Sequence, residues 1–279
     1  MLRTTLLLPL ALLPFAAQAD DCRFSAERAL DIDAAGLSTL HLDTSAGDLD
    51  VRAEAGLARI EVRGRACHSD EAGLAGIQLQ QQRSGQQATV SVVIPDAGSN
   101  SGLFGNHHAY MDVRVRMPAG VRLDLRDSSG DLSVEGLRAG LELTDSSGDI
   151  ELEDIGGGIE IADSSGDIEA RRITSDLTVR SDSSGDIDIA GVEGNVLVRE
   201  DSSGEIDLRD VTGDAEVNRD SSGDVSFDTI GGSARVGADG SGGIRADQVR
   251  GDFTVERKSN ADGIRHSGVG GRVNVPPGG

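Results

Sequence analysis

The sequence predicts an all-β fold: a parallel β-solenoid of 18–19-residue two-strand rungs with a β-rich N-terminal capping region. Three observations carry that prediction. The motif Asp-Ser-Ser-Gly-Asp recurs at a nearly constant step. The apolar residues between copies alternate with polar ones. Glycine stands at both turns of each repeat. Period-two alternation marks a strand, and self-similarity at a fixed short period marks stacked repeats.

The motif begins at Asp127, Asp145, Asp163, Asp182 and Asp220. Asp201 opens the variant Asp-Ser-Ser-Gly-Glu, and Asp239 a worn copy, Asp-Gly-Ser-Gly-Gly. The steps are 18, 18, 19, 19, 19 and 19 residues. Apolar residues keep the same register. One column reads Leu132, Ile150, Ile168, Ile187, Ile206, Val225 and Ile244. A second runs from Val134 to Ala246 and a third from Leu137 to Val249. Two more, past the midpoint turn, run from Leu141 to Phe253 and from Leu143 to Val255. A weaker last unit carries Ile264, Val269, Val273 and Val275.

Each unit is thus two short strands and two turns, rich in the Val and Ile that a pleated, half-buried surface favours. One unit cannot bury its own apolar face; stacking places like on like and closes a continuous core. Rungs stack about 4.8 Å apart, so roughly eight make a rod of about 40 Å. The scarcity of bulky aromatics (no Trp, one Tyr, five Phe) suits a narrow core. Acidic disorder is the competing reading of this composition, but disorder has no reason to hold five apolar columns in phase.

The chain divides into a signal peptide at 1–19, a β-rich capping region at 20–120 that includes a first rung, and the solenoid at 121–279. Arg3, the apolar run Leu6 to Phe15 and Ala17-Gln18-Ala19 form the signal pattern. The run is short and broken by Pro9 and Pro14, which excludes a membrane span. Cleavage near Ala19 would place the protein in the periplasm or outside the cell. Within the capping region, Leu40 to Val51 is a loose copy of the repeat. Ile60-Glu61-Val62, Ile77-Gln78-Leu79, Val90-Ser91-Val92 and Met111 to Met117 read as strands, and Gly98 to Asn106 as an exposed loop. The open end of a solenoid carries unpaired strand edges, so a cap is required there. Pro276-Pro277 stops pairing at the other end.

The full chain carries 48 acidic and 26 basic residues, a net charge of -22. The signal peptide takes with it one arginine and no acid, leaving -23. That charge excludes nucleic acid and anionic lipid as partners. Cations, cationic surfaces and neutral glycans remain. Cys22 and Cys67 are the two cysteines. In an oxidising compartment they are expected to form one disulfide, with free buried thiols as the alternative.

The run Val113-Arg114-Val115-Arg116-Met117-Pro118-Ala119-Gly120-Val121, followed by Leu123-Asp124-Leu125 and Ser128-Ser129-Gly130-Asp131, resembles the bacterial "putative adhesin" family, domain of unknown function 4097. In that family a strand ending in Pro-x-Gly leads into repeated Ser-Gly-Asp rungs. The resemblance spans about residues 38–275. It implies a β-solenoid and an exported protein, and it brings no catalytic residues with it.

Two acidic columns mark the repeat. The first is Asp127, Asp145, Asp163, Asp182, Asp201, Asp220 and Asp239; the second is Asp131, Asp149, Asp167, Asp186, Glu205 and Asp224. Neighbours about 5 Å apart repel by roughly 0.8 kcal/mol in water and about 3 kcal/mol at an effective dielectric of 20. Two readings of the first column are open. Its carboxylates cap the Ser-Ser-Gly turn by accepting backbone N–H bonds, while the second column points into water. Or Asp127, Asp145, Asp163, Asp182, Asp201 and Asp220 ligate Ca²⁺ through hard oxygen donors. His107-His108 form a possible metal pair in a solvated loop, and His41, His68 and His266 stand alone. No nucleophile elbow or metalloprotease motif is present, and no catalytic or cofactor-binding residue is assigned. The expected function is an exported, non-enzymatic envelope protein, an adhesion-type or scaffolding solenoid with an unknown protein or glycan partner. A Ca²⁺-binding solenoid and a glycan-active β-helix are the alternatives.

Overall fold

The computed structural model describes residues 22–95, 108–259 and 263–277. The expected signal peptide, the expected exposed loop Gly98 to Asn106 and His107 lie outside them. Two 12-stranded sheets, built by alternate strands of the chain, enclose one apolar core. In a typical rung Leu141–Thr144 lies in one sheet and Ile150–Glu153 in the other. Each pairs in parallel with its counterpart one repeat later, Leu141 beside Ile159 and Ile150 beside Ile168. The apolar columns stay aligned to Val225 beside Ile244, with one register shift between Ile161 and Ala162, where Ala162 pairs with Ser181 and the repeat lengthens by a residue. All five predicted columns are interior, with no member more than 2 % exposed. Where the second column carries Phe227, the fourth carries Ala215 and Ala234. All three are buried, and such an exchange of large for small holds core volume roughly constant.

The first rung lies at 39–54, but its neighbours are not its neighbours in sequence. Thr39–Asp43 sits between Gln87–Val93 and Arg122–Arg126, all parallel. Leu49–Glu54 sits between Ala109–Pro118 and Leu132–Glu135. The chain therefore lays down one rung, leaves it, builds the outermost rung from 87–118, and returns to the inner side. Antiparallel strands finish the end. Arg59–His68 pairs with Ala109–Pro118, Phe24–Asp33 with Arg59–His68, and Gln78–Ser84 with Gln87–Val93. The Cys22–Cys67 disulfide ties the first of these strands to the second across a Cα–Cα distance of 5.5 Å. At the far end Ile264–Ser267 and Val273–Asn274 are the last strands, and Val273 is 40 % exposed.

Both turns depend on backbone that L-residues avoid. At the Ser-Ser-Gly corner the glycines from Gly130 to Gly242 have φ between 115° and 141°. A Cβ on Gly166 would lie 1.9 Å from the carbonyl oxygen of Gly148. At the opposite turn the column Gly136, Asp154, Arg172, Gly191, Asp210, Thr229, Gln248 and Gly268 is left-handed, with φ from 52° to 79°. At Gly191 space is not limiting, since nothing lies closer than 3.6 Å to an added Cβ, whereas at Gly136 the Ala53 carbonyl oxygen would lie 2.4 Å away. The cost is conformational and falls hardest on β-branched Thr229.

The two corners should therefore answer substitution in opposite directions. Gly166→Ala is expected to cost at least about 3 kcal/mol, because it closes a backbone-to-backbone contact. Thr229→Gly is expected to gain about 0.5–1 kcal/mol, as the relief of strain exceeds the entropy cost of glycine. Urea unfolding midpoints at unchanged slope read both effects, and a destabilised Thr229→Gly would refute the strain argument. Cys22→Ser should cost up to about 4 kcal/mol, the loop-closure value for a sequence separation of 45.

Candidate functional site

The Ser-Ser-Gly corner is built so that every residue of the motif meets its equivalent in the next rung. Backbone pairing continues into the bend at three positions. Asp145 N–H donates to the Ala162 carbonyl, Gly148 N–H to Ser165 and Ile150 N–H to Asp167, at 2.8–3.1 Å. The second serine adds a rung-to-rung bond: the Ser147 hydroxyl donates to the Ser128 carbonyl, Ser165 to Ser146 and Ser203 to Ser183, at 3.0–3.1 Å.

The second aspartate column takes a role that was not expected. The second column lies on the exposed rim, but its carboxylates are not simply solvated. Asp131 accepts the N–H of Asp149, Asp149 that of Asp167, Asp167 that of Asp186, and Asp186 that of Glu205, at 2.8–3.3 Å. This column is the turn cap: each carboxylate takes the amide that the bend leaves without a backbone carbonyl. A matching ladder at the opposite turn was not expected. There Asp176 accepts from Asn195 N–H, Asn195 Oδ1 from Asp214 N–H, and Asp214 from Ser233 N–H, at 2.7–2.9 Å. Its signal in the sequence is an Asp, Asn or Ser immediately before the last five members of the fourth apolar column, Leu177 to Phe253; Gly140 and Gly158 precede the first two.

The first column tucks inward at the corner, against the N–H groups of its own turn. Its members are 1–4 % exposed. Asp182 accepts the Ser183 N–H at 2.7 Å and Asp220 the Ser222 N–H at 3.0 Å. Asp127, Asp145, Asp163 and Asp201 face the Ser N–H groups of their own turn, which partly oppose the rise in their pKa, but no donor closes a well-formed hydrogen bond on their oxygens. Burial is the main cause that raises the pKa of each. Asp163 and Asp220 reach about 6 and Asp201 about 7, the last pushed further by Asp182 and Asp220 on either side. The column has a distinct group at each end. Thr44, in the first rung, faces Asp127 and opposes its upward shift. Lys258, one rung beyond Asp239 in register, forms an ion pair with Asp239 in which both side chains are buried.

Elsewhere, His41 Nδ1 lies 2.8 Å from Asp124 Oδ2, linking the first rung to the next. His108 is exposed and His266 stands beside Phe253, with ring centroids 6.1 Å apart. Among the described residues no three His, Cys, Asp or Glu side chains converge in metal-binding geometry, and no helix is long and apolar enough to cross a membrane. Beside the rim, a shallow groove is lined by Asp48, Asp112, Asp131, Asp149 and Asp167 with Arg114.

The Toastrack DUF4097 family model matches residues 18–183. Similar solved structures include a "putative adhesin" from Bacteroides fragilis NCTC 9343, 11% identical over 92% of this chain and 99% of that one, at a TM-score of 0.42. A "putative lipid binding protein" from Parabacteroides distasonis ATCC 8503 is 14% identical over 91% and 97%, at 0.41. A "putative cell adhesion protein" from Clostridium sporogenes ATCC 15579 is 13% identical over 90% and 99%, at 0.28. At this identity and overlap none of the three carries a functional argument. No curated protein matches the chain.

The buried column sets a pH dependence of stability. Folded-state pKa values near 6 and 7 exceed the ordinary 3.8, so the folded state binds more protons between those values. That contribution is fully present below about pH 4 and is lost as pH rises through 6–7. In a buffer whose only cation is tetramethylammonium, the urea midpoint should fall from pH 5 to pH 8. Asp201→Asn should flatten the fall and raise stability at pH 8. An unchanged profile in that variant would mean that Asp201 is ionised without penalty.

Proposed function

The chain belongs to the Toastrack DUF4097 family, and for it we propose the role of an exported, non-enzymatic envelope protein, a rigid acidic rod used for adhesion or scaffolding. The observation that carries this reading is the rim ladder. Its carboxylates recur at rung spacing, stay exposed, and are held in place by backbone N–H groups. A fixed row of like charges on a solenoid that cannot flex from rung to rung suits a repetitive or extended partner. Many weak contacts then add through effective concentration rather than through one tight pocket. The groove beside the rim, eight carboxylates with Arg114, offers cationic groups a place to seat. Export agrees with the N-terminal signal pattern and with the disulfide. The partner class this surface favours is a protein or glycan presenting positive charge or hydrogen-bond donors.

Replacing Asp131, Asp149, Asp167 and Asp186 with Asn tests the reading. Asn keeps the acceptor oxygen that the cap needs, as Asn195 does at the opposite turn, and removes the charge. Binding of the mature protein to an amine-bearing surface and to isolated cell-envelope material, followed by surface plasmon resonance, should fall at least about tenfold in the variant. It should also weaken with salt, as exposed charge contacts do. Equal binding by both proteins, or turnover of a polysaccharide by either, would refute the proposal.

A further inference from the structure

We propose that the inner carboxylate column is a binding site for a hard, oxygen-seeking cation, taken up between successive rungs. The column is a line of carboxyl groups, 1–4 % exposed, at the spacing of stacked strands. Two fully ionised neighbours at that spacing repel by about 3 kcal/mol even at an effective dielectric of 20. Buried carboxylates persist when paired, hydrogen-bonded or bound to a cation. Protein donors meet the need only in part: the Ser N–H groups of the turn oppose the upward shift of Asp145, Asp163 and Asp201, yet no donor makes a well-formed hydrogen bond to either oxygen of the three.

The fold itself shows what the position accepts. One rung beyond Asp239 the column would hold another carboxylate; it holds Lys258 instead. The ammonium of Lys258 is taken wholly inside, bound by Asp239 Oδ2 and, at 2.7 Å, by the Gly242 carbonyl oxygen. A positive charge bound by oxygens of the corner is therefore already part of the structure, supplied by the chain at the last rung. The preceding rungs repeat the carboxylate without repeating the lysine. Because no three acidic side chains converge among the described residues, each site would draw on two carboxylates from adjacent rungs. Its coordination would be completed by neutral oxygens, a ligand set that Ca²⁺ accepts. An alkali cation shares that chemistry and is separated from Ca²⁺ by experiment. At the other end the Thr44 hydroxyl, a neutral oxygen, closes the row.

The test is a thermal melt of the mature protein at pH 7.5, followed by far-UV circular dichroism. The protein is first treated with chelator and exchanged into tetramethylammonium buffer, a cation too large for the corner. Millimolar Ca²⁺, or 100 mM Na⁺ or K⁺ in separate arms, is then added, and native-state binding raises the midpoint by mass action. A rise of about 5 °C or more in any arm is expected. Two variants locate it. The rise should persist when the rim charges Asp149, Asp167 and Asp186 are changed to Asn, and should be lost when the inner Asp163, Asp182 and Asp201 are. Lys258→Met removes the built-in cation and should enlarge the response. If no cation shifts the midpoint while lowering the pH to 5 does, the column carries protons and the proposal is overturned. A rise abolished by the rim variant and retained by the inner variant overturns it equally, by assigning the effect to the surface.

Discussion

The parallel backbone ladder, carried from the strands into the bends, is the constraint on which everything else in this molecule depends. Asp145 N–H, Gly148 N–H and Ile150 N–H each find a carbonyl one repeat later. The register is therefore fixed at the corner and cannot slip in the strands. A fixed parallel register has one inescapable result: each residue lies on its own equivalent. For Ile on Ile this is favourable, and five columns become a core with no member more than 2 % exposed. For Gly on Gly it is compulsory, because the carbonyl below occupies the space of a side chain. For Asp on Asp it is a cost that the structure has to offset.

The two acidic columns offset that cost in different ways. On the rim, solvent screens the charges and each carboxylate gains a charge-assisted bond from the next rung's amide, so the repeat is stabilised by the groups that repel. Inside, solvent is excluded and most carboxylate oxygens find no well-formed hydrogen bond. Burial and neighbouring charge then raise the affinity of the column for protons. The lysine at the last rung is the fold's own answer to that demand. One five-residue motif thus produces a structural carboxylate and a charge-seeking one, four residues apart, according to which side of the bend each faces.

The ends of the rod follow from the same ladder. A parallel stack always leaves an edge that can pair again, and the N-terminal region removes it by changing direction. Antiparallel strands on both sheets end the parallel series, and the disulfide holds the outermost strand in place. Inserting the 39–54 rung between 87–118 and 122–135 fastens cap to solenoid. Neither can leave without breaking pairs on both faces of that rung.

Periodicity made most of the fold legible in the sequence alone: the rung length, the five buried columns, the turn glycines and the early rung around Leu40 to Val51. It sufficed because stacking writes the same chemistry at the same interval. Three things lay beyond it. The spatial order of the first rungs is decided by which edges are free when the chain returns, a long-range condition that no local pattern records. The left-handed turn at Asp154, Arg172, Asp210, Thr229 and Gln248 is imposed by rung closure against local preference. The rim carboxylates were expected in water and instead bind the next rung for a geometric reason: the sequence determines that both aspartates recur, but only the bend decides which carboxylate reaches the next rung's amide. Orientation at a tight corner depends on backbone angles that are settled by the rung above and the rung below.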